Sequence, residues 1–143
     1  MSTIITSFAA YQPGDQTITL YHGTSHASAA ALQANGWQPR AGSQGGNMGN
    51  PAYLYLTSGW EDAQWFANEK GESAIVQLRD VPLAFLRPDP EDEAGFTMAE
   101  LLERIAEEPD GMPSKFILTK PLPASHFAFF KDAPGGNDDD FED

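Results

Sequence analysis

Apolar and polar residues alternate with period two over TITLYH (17–22), which puts Ile18, Leu20 and His22 on one face and Thr17, Thr19 and Tyr21 on the other. That period predicts a β-strand. Ser25 stands at a cap position before HASAAALQAN, and Gly36 follows where helices commonly turn off through a left-handed residue, so a helix is expected between them. QPRAGSQGGNMGNP (38–51) is rich in Gly and Asn and has no periodicity, which predicts a surface loop. AYLYLT (52–57) reads as the next strand. Ser58 and Glu61 have capping-box spacing ahead of GWEDAQWFANEK, a helix expected to end at Gly71 with Ala63, Phe66 and Ala67 facing inward.

Farther along, SAIVQLRDV (73–81) is strand-like and LRPDPEDEAG (86–95) reads as an acidic, proline-broken loop. Thr97 and Glu100 make a second capping box, and Met98, Leu101, Leu102 and Ile105 fall on one helical stripe, the pattern of a core face. SKFILT (114–119), a proline-bracketed turn KPLPAS and HFAFF (126–130) complete the pattern. Regular strand–helix alternation stops after Val81. The expected class is therefore α+β, built on a mixed, mostly antiparallel sheet with flanking helices.

The chain has 143 residues, enough for one domain with a single core, placed here at 1–131. Residues 132–143 close on GGNDDDFED and are expected to form a disordered acidic tail. Twenty-one acidic against 8 basic residues give a formal charge of −13, and no basic cluster offsets it, which disfavours phosphate-backbone binding. An acidic face could instead dock on a basic partner. There is no cysteine, so thiolate metal sites, disulfides and a cysteine nucleophile are excluded. No apolar run reaches the roughly 20 residues needed to cross a bilayer, and the start of the chain lacks a basic signal-peptide region. No membrane association is expected; the cytoplasm is the default compartment, with delivery into a host cell left open.

Several chemistries drop out on motif grounds. GSQGGNMGN lacks the Gly-Lys-Ser/Thr of a phosphate loop, and no G-x-S-x-G elbow occurs. His22 closes a strand whereas His26 opens a helix, so the two do not share a helical face and no metal site is expected. What remains is a constellation. His22-Gly23-Thr24 ends one strand, Tyr55 ends another 33 positions later, and Phe66 follows 11 positions after that on the next helix. A strand end that brings a histidine and a bare glycine backbone to one point is a common start for a ligand site.

In this order and spacing, LYHGTS, LYLTSGWEDAQWFA, SAIVQL and SKFILTKPLP resemble the ADP-ribosyltransferase fold from about Leu20 to Phe130. The likeness is to its histidine-tyrosine class, that of the poly-ADP-ribose polymerases and diphtheria-type toxins. The resemblance implies a split β-sheet and NAD as substrate. His22 would then hydrogen-bond the adenosine-side ribose, and the Gly23 backbone would hold the nicotinamide amide. Tyr55 and Phe66 would sandwich the nicotinamide ring, Ala63 would replace a serine common in the polymerases, and Thr24 and Ser25 would be supporting donors. Two flat aromatic faces suit a flat ring, each such pair adding about 0.5–1.5 kcal/mol beyond area burial.

One position departs from that pattern. The family's third catalytic residue, usually a glutamate on a late strand, falls at Lys115. A carboxylate there would accept a hydrogen bond from the ribose and favour a positively charged transition state, whereas lysine can only donate. A carboxylate from Asp89, Glu91, Asp92 or Glu93 is one substitute. Two readings follow: an ADP-ribosyltransferase acting on an unknown protein, nucleic-acid or small-molecule acceptor, or a catalytically degenerate module that binds NAD or a partner through its acidic surface. An RNA 2′-phosphotransferase, expected to need an arginine-rich site, fits poorly with four arginines. The acceptor and the oligomeric state are not legible.

Overall fold

The computed structural model describes residues 16–39, 53–69, 74–108 and 111–132. The N-terminal segment, most of the Gly/Asn-rich stretch and the tail from 133 onward lie outside the described residues. The elements are β1 (Thr17–Thr24), α1 (His26–Asn35), β2 (Leu54–Thr57), α2 (Trp60–Glu69), β3 (Ala74–Pro82), β4 (Leu86–Pro88), α3 (Met98–Glu107), β5 (Lys115–Leu118) and β6 (Phe127–Asp132). They make an α+β protein: one six-stranded sheet in the order β4-β5-β2-β1-β3-β6, with three helices among the described residues. Where the sequence suggested a mixed sheet, every pairing among the described strands is antiparallel. The last strand runs through Asp132, one residue into the expected tail.

The period-two pattern of β1 decides the layering. Leu20 pairs with Leu78 and His22 with Val76, so these residues share a face. That face carries the main core: Leu54, Leu56, Phe116 and Leu118 from the sheet, Ala29 and Leu32 from α1, and Leu101 and Leu102 from α3. The opposite face is covered by α2, whose Ala63 and Ala67 are buried against Ile75 beside Tyr21 and Trp60. Small residues on the helix let it approach the sheet closely.

The helix caps divide between expectation and correction. Ser25 Oγ accepts the Ser28 N–H at 3.0 Å, and the Thr97–Glu100 capping box is complete. Gly36 has the expected positive φ, 74°, but its ψ of −164° lies outside the left-handed helical region, and a Cβ there would sit 2.4 Å from the Leu122 carbonyl. The chain leaves α1 by an isolated bridge between Trp37 and Leu122. The Ser58–Glu61 cap does not form. Helix α2 starts at Trp60, and Ser58 Oγ instead accepts the Ser114 N–H at 2.9 Å, tying the entry of α2 to β5. Tertiary pairing thus took the hydroxyl that local spacing assigned to the helix.

The segment from Leu86 to Gly95 also differs from the loop expected. Leu86–Pro88 is an edge strand, where proline's missing donor does no harm, and Asp89 and Glu93 are buried. Asp89 Oδ1 accepts the N–H groups of Glu91 (2.8 Å) and Asp92 (3.2 Å), closing a turn. Glu93 binds Arg104 through both oxygens, at 3.1 and 3.2 Å, and also accepts the Lys115 N–H at 3.0 Å. One carboxylate therefore joins the acidic turn, α3 and the start of β5. Replacing Glu93 by Gln leaves Arg104 without its charge partner and should cost about 3 kcal/mol or more, by analogy with other broken buried pairs. Urea unfolding followed by circular dichroism should show a lower midpoint with an unchanged slope.

Candidate functional site

Adjacent residues of a strand face opposite ways, so His22 and Gly23 occupy different layers. His22 and Thr24 lie on the α1 side. There they line a cleft of about 570 Å³ with Ser28, Asn35, Trp37 and Tyr53 among its other walls. The volume lies within the range of small-molecule sites, roughly 300–1,000 Å³. Sequence reading missed Ser28, Asn35 and Trp37 because nothing in the local pattern shows that α1 and the chain leaving it would face β1 and Tyr53 across open space.

Strands β1 and β2 form a ladder only at Tyr21↔Thr57, while β1 pairs with β3 almost throughout and β2 pairs with β5 at four positions. Beyond that one register the centre of the sheet parts. His22 spans the parting: its Nδ1 lies 2.8 Å from the Tyr55 carbonyl. A carbonyl only accepts, so Nδ1 carries the proton in this contact, and in the neutral ring Nε2 is the accepting nitrogen. The contact fixes the ring at the edge of the cleft and brings together two of the residues picked out in the sequence, through the backbone of one and the side chain of the other.

Gly23, Tyr55, Ala63, Phe66 and Lys115 belong to the α2 side. Tyr55 pairs with Ile117 and Thr57 with Lys115, which keeps all four on one face. A Cβ on Gly23 would meet the Ala63 carbonyl at 2.2 Å and Ala67 Cβ at 3.0 Å. The glycine is thus required by the approach of α2, independently of any ligand. Tyr55 stacks edge-on against Tyr53, with ring centroids 6.4 Å apart, and Phe66 likewise meets Trp65 at 5.2 Å.

Lys115 lies beside Phe66. Its Nζ stands 5.0 Å from the Phe66 ring centroid, 3.7 Å from Asp62 Oδ2 and 3.5 Å from Asp92 Oδ2. Of the four acidic-segment candidates, Asp89 serves the turn and Glu93 serves Arg104, while Asp92 is the one paired with the Lys115 ammonium. Asp62, close in sequence to the aromatic residues of α2, sits four residues before Phe66, a spacing that puts both on one helical face.

The described residues contain no group of three or more His, Asp or Glu side chains placed to hold a metal, and no helix among them is long and apolar enough to cross a membrane. Comparison of the chain with protein-family models, curated proteins and solved structures returns no match. The site must therefore be read from its geometry and from the motif resemblance. Gly23→Ala should lower stability by about 1–3 kcal/mol through overpacking against α2. Thermal unfolding without ligand checks this, and an unchanged melting temperature would show that α2 can move away at little cost.

Proposed function

We propose that this chain is an ADP-ribosyltransferase-like domain that binds NAD across the parting between β1 and β2. The observation that carries the reading is His22, braced on the Tyr55 carbonyl at the mouth of the 570 Å³ cleft. In this reading the adenosine half lies in the cleft, its ribose hydroxyls bonding His22, with Thr24 and Ser28 as further polar partners. The nicotinamide half lies toward Gly23, Ala63, Tyr55 and Phe66 on the far side of the parting. The single β1–β2 pair at the centre of the antiparallel sheet supports this reading.

The reaction is cleavage of the nicotinamide–ribose bond. Nicotinamide leaves with the bonding electron pair, C1′ gains oxocarbenium character, and an acceptor nucleophile adds there and gives up its proton. Residues that orient the two halves of the dinucleotide hold C1′ ready for attack. The developing cation requires negative charge nearby, which Asp62 or Asp92 can supply where Lys115 cannot. The acceptor would be a protein, a nucleic acid or a small molecule approaching the exposed side of Asp92.

A second reading is favoured by Lys115 itself. With its ammonium on the Phe66 ring and between two aspartates, the domain would bind NAD without turning it over and act by engaging a partner through its acidic surface. Incubation with labelled NAD and a cell extract separates the two readings: labelled acceptor or released nicotinamide marks the transferase, and calorimetric binding without turnover marks the module. His22→Ala should weaken NAD binding by about 0.5–1.5 kcal/mol, the value of one hydrogen bond. Tyr55→Ala keeps the carbonyl that braces His22 and should weaken NAD, but not ADP-ribose, by a similar amount. Calorimetry with both ligands checks the pair, and parental affinities in both variants would remove His22 and Tyr55 from the site.

A further inference from the structure

We infer that Lys115 is a tethered competitor for the aromatic face of Phe66, and that a ligand ring carrying positive charge displaces it. The inference rests on the reading that this domain binds NAD, whose oxidised nicotinamide ring is a pyridinium cation. This group of side chains suits a cation. The Phe66 ring offers a negative face, and the carboxylates of Asp62 and Asp92 flank the ammonium that stands over it. With Lys115 in place the group of three charged side chains still carries a net charge of about −1.

The ammonium is loosely held. It stands 3.7 Å from Asp62 Oδ2 and 3.5 Å from Asp92 Oδ2, and Asp62 Oδ2 is buried with no hydrogen-bond donor in reach. An unsatisfied buried carboxylate oxygen favours any cation that approaches more closely. Asp92, with 51% of its side chain exposed, leaves the group open to solvent, so Lys115 has somewhere to go. Its backbone stays fixed, because the N–H is held by Glu93 and the strand pairs with β2; only the flexible four-carbon stem needs to swing. A neutral ring, such as free or reduced nicotinamide, gains less from the two carboxylates and competes poorly with the ammonium. Lys115 would thus make the site selective for the charge of the ring as well as its shape.

The test uses the full chain and 1-methylnicotinamide, a pyridinium cation, beside neutral nicotinamide. Lys115→Met keeps the stem and removes the charge; it should bind 1-methylnicotinamide roughly tenfold more tightly, as expected for one freed cation–π contact and two unopposed carboxylates. Nicotinamide should gain far less. Lys115→Arg should show no gain, and Phe66→Leu in the Lys115→Met background should abolish it. In the parent protein, saturating 1-methylnicotinamide should raise the rate at which an amine-modifying reagent labels Lys115, read by mass spectrometry of its peptide. Equal affinities in parent and Lys115→Met, or labelling of Lys115 that does not change, would overturn the inference. ADP-ribose lacks the ring and titrates the His22 cleft separately. ADP-ribose binding without the cation effect would sink the Lys115 inference alone; the cation effect without ADP-ribose or NAD binding would sink the NAD reading alone.

Discussion

A strand must send neighbouring side chains to opposite faces, and in β1 this single constraint divides the candidate site between two layers. His22 turns toward α1 and the cleft, while Gly23 turns toward α2 and is pressed against the Ala63 carbonyl. Between the two layers lies the parting of β1 from β2 beyond Tyr21↔Thr57. A full β1–β2 ladder would seal that opening with backbone hydrogen bonds; pairing at Tyr21↔Thr57 alone leaves room, and the His22–Tyr55 contact braces the gap. The same side chain that marks the site therefore also supports the backbone geometry around it.

Glu93 performs the corresponding task on the other half of the sheet. A carboxylate 5% exposed in a chain of net charge −13 would be costly if unpaired, and the fold answers it with a two-pronged Arg104 and the Lys115 N–H. Through those bonds the acidic turn is laid against the start of β5, which carries Asp92 to the Lys115 ammonium. The charge of the chain is thus not wholly a solvated surface. Part of it is structural, and part surrounds the aromatic residue that the motif pattern singles out.

This arrangement gives the departure at Lys115 a physical context. A lysine alone at that position opposes a developing cation; a lysine held between Asp62 and Asp92 leaves the immediate surroundings acidic. Two carboxylates stand within reach of the same point, on α2 and on the acidic turn in place of β5.

What the sequence by itself determined are the features set by local chemistry. The period-two run of β1, the Ser25 and Thr97 caps and the apolar stripe of α3 all follow from residues a few positions apart. Tertiary structure alone decided where those elements meet. Ser58 had the right spacing for a cap, yet its hydroxyl serves Ser114, 56 residues away, a contact that only the packing of the β5 entry against α2 provides. The cleft walls, the burial of Glu93 and the placing of Asp62 and Asp92 around Lys115 likewise depend on contacts between distant segments. Spacing along a chain sets which groups share a face; only packing sets which faces meet.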